Sequence, residues 1–392
     1  MQSAERQAYK MAYVAVTGGR EAVEKSIELL SKYRTGGEKD VEIQAIKNRM
    51  GLLIDRIMSE AGFYAPDYAA LALKQSEGSV EEAVFLLRAY RSTLSRSFYS
   101  KVISTENMTI CRRISAAFKD IVGGQFLGAT YDYTHRLLDF SLLNETSEEI
   151  HKIKEKWDGS QEEAEPIKAP RVSDVLREEG AISVKENEET LEDITQNPIT
   201  FPAPRSARLQ TITRGETGYV NGLAYAGIRG FGPSHPTVGE LRTGDVEILI
   251  EYPLLEGEEL YVGSIVATEV ESFFSEESKE ETGAKNSDPL RKMESGQGDK
   301  ADKDTNELKL GIGYGLVFGR NDNKAISMSI LDYILCTEGD GILNNQEFVL
   351  LHGDCLEMSG FISHLKLPHY VTFQSKLDRV RSTSKKEEKG NE

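Results

Sequence analysis

The stretch Asp245-Val246-Glu247-Ile248-Leu249-Ile250-Glu251-Tyr252 decides the fold class of this chain. Val246, Ile248 and Ile250 alternate with acidic residues, and this period of two predicts a strand with one buried face. The same half of the chain holds further segments of strand-like composition at 219–226, 261–270 and 311–319. We therefore expect this half to be β-rich.

The first part of the chain carries a helical pattern instead. Ser79-Val80-Glu81-Glu82 is a capping box, which predicts that a helix begins there. Before it, apolar residues recur at three- and four-residue spacing in segments 21–33, 43–61 and 66–75. A short buried strand at 13–16 is expected to precede these helices.

Two more helices are expected near the C-terminus. Asn321 or Asp322 can cap the first of them, and the second should run near 346–358. Helices first and strands later predict an α+β fold. The expected order is a helical N-terminal part, a mainly antiparallel β-rich part and C-terminal helices.

Composition divides the chain further. The expected parts are a helical N-terminal part at 11–146, an acidic linker or peripheral excursion at 147–197, a β-rich part with C-terminal helices at 198–375 and a charged tail at 376–392. A short helix is expected at 172–177 within the acidic part. Residues 275–308 have almost no apolar side chains, so we expect a disordered insertion there.

Charge and cysteine content exclude several classes of protein. The chain has 392 residues and a formal net charge of −17, which repels nucleic acids and anionic membranes. It has no apolar run long enough for a membrane helix and no signal-peptide pattern at its start. Cys111, Cys336 and Cys355 are odd in number and far apart, so a disulfide framework is not expected. We expect a cytoplasmic protein with no nucleic-acid or membrane partner.

A pair of histidines gives the sharpest functional signal. His364 and His369 lie in Gly360-Phe361-Ile362-Ser363-His364-Leu365-Lys366-Leu367-Pro368-His369-Tyr370, where Pro368 disfavours a helix. A turn can bring both rings to one point and form half of a zinc or iron site that lacks one or two ligands. Ordinary hydrogen-bonded loop histidines are the alternative.

A glycine-rich segment at 120–136 is a second candidate, and it is expected to connect two helices. Gly123 and Gly124 allow close backbone approach to a phosphate. Asp132, His135 and Arg136 follow and supply an acceptor, a donor and a cation. The alternative is a plain glycine turn before a helix whose aromatic residues belong to the core.

A loop rich in Gly and Pro at 228–236 is the third candidate. Arg229 and Arg242 can make fork-shaped contacts with phosphate or phosphonate, although surface ion pairs are the alternative. His235 and Glu240 lie between them. The segment 311–319 contains GxGxG, but no glycine follows at the sixth position, so close packing of a strand explains it better than dinucleotide binding. A Walker A motif and a GxSxG elbow are absent from the sequence.

Several of these segments together resemble a known family. They are YVAV at 13–16 with Gly18 and Gly19, ALALKQ at 70–75, FLLRAYR at 85–91, YDYTHRLLDF at 131–140, GYGLVFG at 313–319 and SHLKLPHY at 363–370. They resemble the PhnI family, the I subunit of the bacterial carbon–phosphorus lyase core complex, in order from about residue 11 to 374. The first ten residues, 147–197 and 275–308 depart from the family and are expected to be peripheral.

The resemblance implies assembly with the G, H and J subunits. With them, the family makes α-D-ribose 1-methylphosphonate 5-triphosphate from ATP and methylphosphonate and expels adenine. Alone, the I subunit is expected to act as a purine ribonucleoside triphosphate nucleosidase. The positions His364 and His369 match the family's paired histidines, which implies a metal site shared with the J subunit.

Residue types suggest roles in such a reaction. Displacement at C1′ passes through an oxocarbenium-like state that a carboxylate stabilises, here Asp132 or Glu240. A general acid helps adenine to leave, here His135 or His235. The candidate binding residues for triphosphate and phosphonate are Gly123, Gly124, Arg136, Arg229, Arg242 and Lys324.

Two other functions stay open at this point. The chain can be a non-catalytic scaffold that presents His364, His369 and docking surfaces to the J subunit. An independent metal-dependent hydrolase is the weaker option, since it needs Asp354 or His352 as a third ligand.

Overall fold

The computed structural model describes residues 19–37, 39–158, 168–182, 191–232, 235–275 and 309–389. Its helices are α1 (Gly19–Arg34), α2 (Ile43–Arg49), α3 (Gly51–Ala61), α4 (Pro66–Gln75), α5 (Val80–Ser92), α6 (Ser147–Asp158), α7 (Val172–Glu178), α8 (Arg205–Arg214), α9 (Thr217–Ala226), α10 (Asp322–Cys336), α11 (Gln346–Leu350), α12 (Cys355–Ser363) and α13 (Tyr370–Lys389). Its strands are β1 (Thr109–Ile114), β2 (Thr237–Glu251), β3 (Glu259–Ser275) and β4 (Leu310–Phe318). This order confirms the predicted α+β fold.

The four strands form one antiparallel sheet in the order β1-β2-β3-β4. The predicted strand at 245–252 lies almost wholly in β2, that at 261–270 lies in β3, and that at 311–319 corresponds to β4. Strands β2 and β3 pair along nearly their whole length, from Glu251 opposite Glu259 to Thr237 opposite Phe273. The mainly antiparallel β-rich part is therefore confirmed.

The predicted strand at 219–226 was wrong, because these residues belong to helix α9. The Glu216 side chain accepts a hydrogen bond from the Tyr219 N–H and caps the helix. Val220 and Ala224 are four residues apart and both buried, which gives the helix an inward face. A short apolar run fits a strand or a buried helix equally well, and here the cap decides between them.

Three other expectations need correction. The expected helix at 346–358 is two helices, α11 and α12, and His352 between them has a positive φ of 56°. Segment 120–136 does not join two helices, because it follows strand β1. Strand β1 lies within the part expected to be helical, and its Arg112 and Arg113 are both buried, which hides the usual alternation.

The expected helices at the N-terminal end are confirmed as α1 to α5, and the segment expected at 43–61 is divided into α2 and α3 at Met50. Ser79 caps α5 by accepting from the Glu82 N–H. The short helix expected at 172–177 is α7, whose buried residues pack against Phe273. The strand expected at 13–16 and the insertion expected at 275–308, apart from Ser275, lie outside the described residues. Within those residues, no helix is both long and apolar enough to cross a membrane.

Glycines in β4 let helix α10 lie directly on the sheet. A Cβ added at Gly313 would meet the Ser329 carbonyl oxygen at 1.9 Å, and one at Gly315 would meet that of Ala325 at 2.1 Å. This supports close packing as the meaning of the glycine pattern. The core between α10 and the sheet contains Val270, Phe274, Val317, Met328, Leu331 and Ile334.

A second core holds the N-terminal helices α2 to α5 together. Between this core and the sheet lies a polar seam, which we define by Arg56, Ser59, Glu60, Arg88, Arg91, Thr213, Arg214, Glu216, Thr217, Lys324 and Asp354. Glu60 is fully buried, and its Oε1 accepts from Arg56 Nε at 2.7 Å and from the Thr217 hydroxyl at 2.8 Å. The seam therefore joins the two cores through hydrogen bonds to buried charges.

Lys324 is the buried cation of the seam. It is 0% exposed, and its Nζ donates to the Thr213 carbonyl oxygen at 2.6 Å. No described carboxylate lies within 4 Å of this ammonium. Burial lowers the pKa of Lys324 to about 8, and Glu60 opposes that shift only in part.

Substitution of Gly313 tests the contact between β4 and α10. Gly313→Ala places a methyl group inside the Ser329 carbonyl, so we expect a loss of about 2–4 kcal/mol in the free energy of unfolding. Gly222→Ala is the matched control, because a Cβ at this position in α9 meets no atom within 4 Å. It should leave stability unchanged or raise it by up to about 1 kcal/mol. Denaturant unfolding measures both, and equal effects would contradict the packing argument.

The pH dependence of stability tests the burial of Lys324. The folded pKa lies below the usual 10.5, so between pH 8 and 10.5 the unfolded chain binds more protons and stability rises with pH. Lys324→Met removes this contribution. Its stability relative to the parent should therefore fall by roughly 3 kcal/mol across that range. Lys32→Met, on the exposed helix α1, is the control. If the difference in unfolding free energy between the parent and Lys324→Met stays constant from pH 7.5 to 10.5, the burial of this ammonium is refuted.

Candidate functional site

The two histidines of the motif lie side by side on the surface. His364 begins a single 3-10 turn that ends at Lys366, Leu367 is extended, and α13 begins at Tyr370. The expected turn is found only in part, because α12 extends to Ser363 and Pro368 lies between two helical segments. The two ring centres are 5.9 Å apart and inclined by 58°. Imidazoles that share one tetrahedral metal have ring centres about 5 Å apart, so the separation of this pair is close to that spacing.

Hydrogen bonds to the backbone orient both rings. Nδ1 of His364 contacts the Phe361 carbonyl oxygen, and Nδ1 of His369 lies 2.6 Å from the Leu367 carbonyl oxygen. A carbonyl only accepts, so Nδ1 is the donor nitrogen of each ring, and in the neutral form of the side chain Nε2 is the nitrogen available to a metal. Both side chains are exposed. This is the arrangement of metal-binding histidines fixed by a second hydrogen bond.

The described residues supply no third ligand. They contain no group of three or more His, Cys, Asp or Glu side chains placed to hold a metal ion. Asp354 instead caps α12 and forms an ion pair with Arg88 at 2.7 Å. His352 lies beside the ring of Phe361, with centres 5.8 Å apart. The pair fits a metal as a half-site, and completion requires ligands from elsewhere.

The glycine segment wraps around an arginine of strand β1. Gly123 and Gly124 have φ of 85° and 80°, values that glycine adopts without strain. Arg113 donates to the Val122 carbonyl at 2.5 Å and to the Gly124 carbonyl at 3.3 Å. A Cβ on Gly123 would lie 2.6 Å from that of Ala169. The turn is therefore closed by the protein's own side chains.

Beyond this turn, Arg112 gathers two carboxylates that are far apart in sequence. Its Nη2 lies 2.8 Å from Asp132, and its Nε lies 3.0 Å from Asp322 at the start of α10. The side-chain hydrogen bond with Thr130, together with Arg112, lowers the pKa of Asp132. Burial raises the pKa of Asp322 against the effect of Arg112. Neighbouring carboxylates whose pKa values are pushed apart are a common acid–base arrangement.

Asp132 is the accessible member of this group. Its side chain is 52% exposed, and Arg136 lies 3.8 Å away with a side chain that is 69% exposed. His135, on the same loop, is also exposed. The structure thus brings Asp132, His135 and Arg136 to one open surface next to Arg112. Sequence reasoning missed Arg112 and Asp322, because nothing in the local sequence reports a contact across 210 positions.

The other predicted site residues are placed differently. Glu240 is buried, with an ion pair to Arg113 at 2.5 Å and a hydrogen bond from the Val172 N–H at 2.9 Å. Arg242 is buried against Glu269. Both therefore lie within the charged layer between the sheet and α7, out of reach of a ligand in this conformation. Lys324, fully buried in the polar seam, is equally inaccessible.

Two predicted residues lie on the surface at the other end of the sheet. Arg229 is exposed and lies over the ring of Tyr225, 5.6 Å from its centre. His235 is exposed, with Nδ1 2.9 Å from its neighbour's carbonyl at Pro236. The described residues show no contact between these two and the Asp132 loop. Their roles in binding and acid catalysis stay predictions.

Comparison with known proteins adds the family. The model of the bacterial phosphonate metabolism protein PhnI matches residues 12–387. A protein of Stutzerimonas stutzeri with the provisional name C-P lyase subunit protein HtxH is 40% identical, over 96% of this chain and 97% of its own.

Two relatives carry a fuller name. The alpha-D-ribose 1-methylphosphonate 5-triphosphate synthase subunits PhnI of Rhizobium meliloti (strain 1021) and Escherichia coli (strain K12) are 39% and 38% identical. The first match covers 94% of both chains, and the second covers 96% of this chain and 100% of the relative. The resemblance seen in the sequence motifs is thereby confirmed, and this chain belongs to the PhnI family of bacterial phosphonate metabolism proteins.

Proposed function

We propose that this chain is the synthase subunit that, with the G, H and J subunits, displaces adenine from ATP with methylphosphonate in the cytoplasm. The product is α-D-ribose 1-methylphosphonate 5-triphosphate. The observation that carries the proposal is the name of two relatives that match over at least 94% of their length. Alone, the chain acts as a purine ribonucleoside triphosphate nucleosidase, with water in place of the phosphonate.

The reaction breaks the bond between C1′ and N9 and forms a bond from C1′ to a phosphonate oxygen. The proton of the attacking group balances the one that the departing adenine takes up. Positive charge develops on the ribose ring, and an ionised carboxylate beside it lowers the barrier. Asp132 suits this role better than Glu240, because Asp132 is exposed while Glu240 is buried against Arg113.

Other residues of the same loop complete the assignment. His135 is three positions from Asp132 and exposed, so it is our choice over His235 as the acid that protonates adenine. Arg136 offers its guanidinium to the triphosphate or the phosphonate, and Arg229 is a second exposed candidate. Gly123 and Gly124 set the course of the loop through its turn on Arg113.

The histidine pair serves a metal shared with the J subunit. Nε2 of His364 and Nε2 of His369 would hold zinc or iron, and the partner would supply the remaining ligands. Zinc or iron bound there would supply Lewis-acid chemistry. The support is the orientation of both rings by backbone carbonyls together with the lack of a third ligand among the described residues.

A scaffold remains the second candidate, and one observation favours it. Three of the predicted site residues, Glu240, Arg242 and Lys324, are buried. Around the Asp132 loop, large apolar side chains are exposed instead, and these are Tyr131, Tyr133, Leu137, Leu138, Phe140, Leu142 and Leu143. An exposed apolar surface of this kind is typical of protein–protein contacts. In this reading the segment docks a partner and performs no chemistry.

Release of adenine from ATP separates the two functions. The purified chain, alone and with its partner subunits, should release adenine, which chromatography measures. Asp132→Asn keeps the size of the side chain and removes its charge, so the rate should fall at least about 100-fold. Asp67→Asn, an exposed aspartate on α4 paired with Lys47, is the control and should keep the parent rate.

Each contrary result has a definite meaning. Absence of adenine under both conditions would favour the scaffold. Equal rates for Asp132→Asn and Asp67→Asn would remove Asp132 from the catalytic group while leaving the nucleosidase activity in place.

Metal analysis tests the histidine pair. His364→Ala with His369→Ala removes two exposed ligands and no buried volume, so the complex should assemble with its metal content at that site lost. The matched control is His151→Ala on helix α6, an exposed histidine 3.8 Å from Glu155. Elemental analysis of the purified complexes gives the metal content. The ligand assignment fails if the double variant retains as much metal as the parent, and a complex that does not assemble would show that the segment is chiefly structural.

A further inference from the structure

Three arginines converge at one end of the polar seam. Arg88 and Arg91 come from helix α5, and Arg214 is the last residue of α8. Arg88 has a partner, because its Nη1 lies 2.7 Å from Asp354. It also donates to the carbonyl oxygens of Glu60 and Arg214. The other two arginines are not neutralised in this way.

Arg91 and Arg214 have no ion pair with any described carboxylate. Arg91 uses Nη1 to donate to the Ala61 carbonyl at 3.0 Å and the Gly62 carbonyl at 2.9 Å. Arg214 makes no side-chain hydrogen bond within the described part of the chain, and its Nε is sealed from solvent without an acceptor. Acidic residues outnumber basic ones by 64 to 47 in this chain. Two neighbouring arginines without carboxylates are therefore unexpected.

The backbone at Gly62 is shaped to admit both side chains. Gly62 ends α3 in the left-handed conformation, with φ of 60°. A Cβ at this position would lie 3.0 Å from Arg91 Nη1 and 3.5 Å from Arg214 Cγ. Because Gly62 has no side chain, the side chains of Arg91 and Arg214 can both lie against its backbone and approach each other. Both residues are partly exposed, so a ligand from solvent can reach them.

Electrostatics make this grouping unfavourable without a counter-ion. Burial, Arg88 and Arg91 together lower the pKa of Arg214 to about 10, with Asp354 and Glu357 opposing. Burial also lowers the pKa of Arg91, and Arg88 and Arg96 add to the shift. Like charges held close in a partly desolvated site repel each other. An anion that binds there would relieve the repulsion.

We infer that Arg91 and Arg214, supported by Arg88, form a binding site for a phosphate-class oxyanion. Guanidinium groups present paired donors that match phosphate oxygens, and the Arg91 and Arg214 residues are both partly exposed. The ligand is either inorganic phosphate or polyphosphate, or the phosphate tail of a nucleotide. This inference does not depend on the proposed function, because it concerns residues outside the Asp132 loop and the histidine pair.

Calorimetric titration of the full chain with tripolyphosphate tests the site. We expect binding, and each of Arg91→Met and Arg214→Met should weaken it at least about tenfold. Methionine keeps the apolar stem of the side chain and removes the charge. Arg34→Gln, on helix α1 that has no buried residue, removes the same charge and should keep the parent affinity.

Thermal unfolding without anion gives a second, independent readout. If the site binds an anion, the arginines repel each other when no anion is bound. Removing the charge of Arg214 relieves this repulsion, so the Tm of unliganded Arg214→Met should equal or exceed that of the parent. A structural arginine would give the opposite sign. Arg214→Lys keeps the positive charge but lacks the paired donors of a guanidinium group, so it should bind tripolyphosphate with intermediate affinity. This variant also tests the site if Arg214→Met does not fold.

Several outcomes would overturn the inference. They are failure of the parent to bind tripolyphosphate, equal affinity in the parent and the methionine variants, and a lower unliganded Tm in Arg214→Met. Titration with ATP and with orthophosphate identifies the source of the ligand when the site is real. Tighter binding of ATP than of tripolyphosphate supports a nucleotide tail, and binding of orthophosphate as tight as that of tripolyphosphate supports free phosphate.

Discussion

The direct contact between strand β4 and helix α10 is the constraint on which the rest of the structure depends. Gly313 and Gly315 bring the backbone of the helix onto the strand, since a Cβ at either position would lie within 2.1 Å of a helix carbonyl oxygen. This contact fixes the start of α10, where Asn321 caps the helix by accepting from the Lys324 N–H. Two neighbouring residues then take their places: Asp322 faces Arg112, and Lys324 enters the polar seam. The candidate site and the junction with the N-terminal helices therefore share one origin.

Buried charges in this chain have a structural task that exposed ones do not. Glu269 accepts from Arg171, Thr105 and Tyr314, and it forms an ion pair with Arg242. Burial alone would raise the pKa of this carboxyl, but Arg242 and Arg171 outweigh it and lower the pKa. The carboxylate is held by these four groups, although Nε of Arg171 and Nη1 of Arg242 have no hydrogen-bond partner among the described residues. Residues committed in this way cannot also bind a substrate without breaking the layer, which directs the search for chemistry to the surface.

Local patterns predicted those parts of the fold that local physics determines. The alternation around Val246 correctly placed a strand, and Pro368 correctly indicated that helical structure is interrupted before His369. The run at 219–226 failed because a cap at Glu216 selected a helix over a strand. Strand β1 was not predicted, because its buried Arg112 and Arg113 are stabilised by partners that are distant in sequence, Asp322 and Glu240.

The candidate site shows the same limit. The histidine pair could be found because both residues and the proline that shapes the turn lie within six positions. The group around Arg112 could not, since Asp132 and Asp322 meet only after the sheet and α10 have formed. Motifs whose residues are close in sequence can be found from the sequence, whereas clusters formed by tertiary contacts can be found only from the structure.

The two candidate functional surfaces on this chain share one property, which is that the described residues do not complete them. The histidine pair presents two oriented Nε2 atoms, and the described residues offer it no third ligand. A metal site with two protein ligands binds weakly, because affinity grows with each ligand that the fold positions. The loop that carries Asp132 exposes apolar side chains beside its charged ones, a combination that gains stability when a partner covers it. A neighbouring subunit would explain both the two-ligand histidine pair and the exposed apolar loop, if it supplied the remaining metal ligands and excluded water from the loop. The relatives are themselves named as subunits, and a metal site completed only on assembly would confine the metal-dependent step to the complex, while the nucleosidase activity proposed for the chain alone does not require that metal.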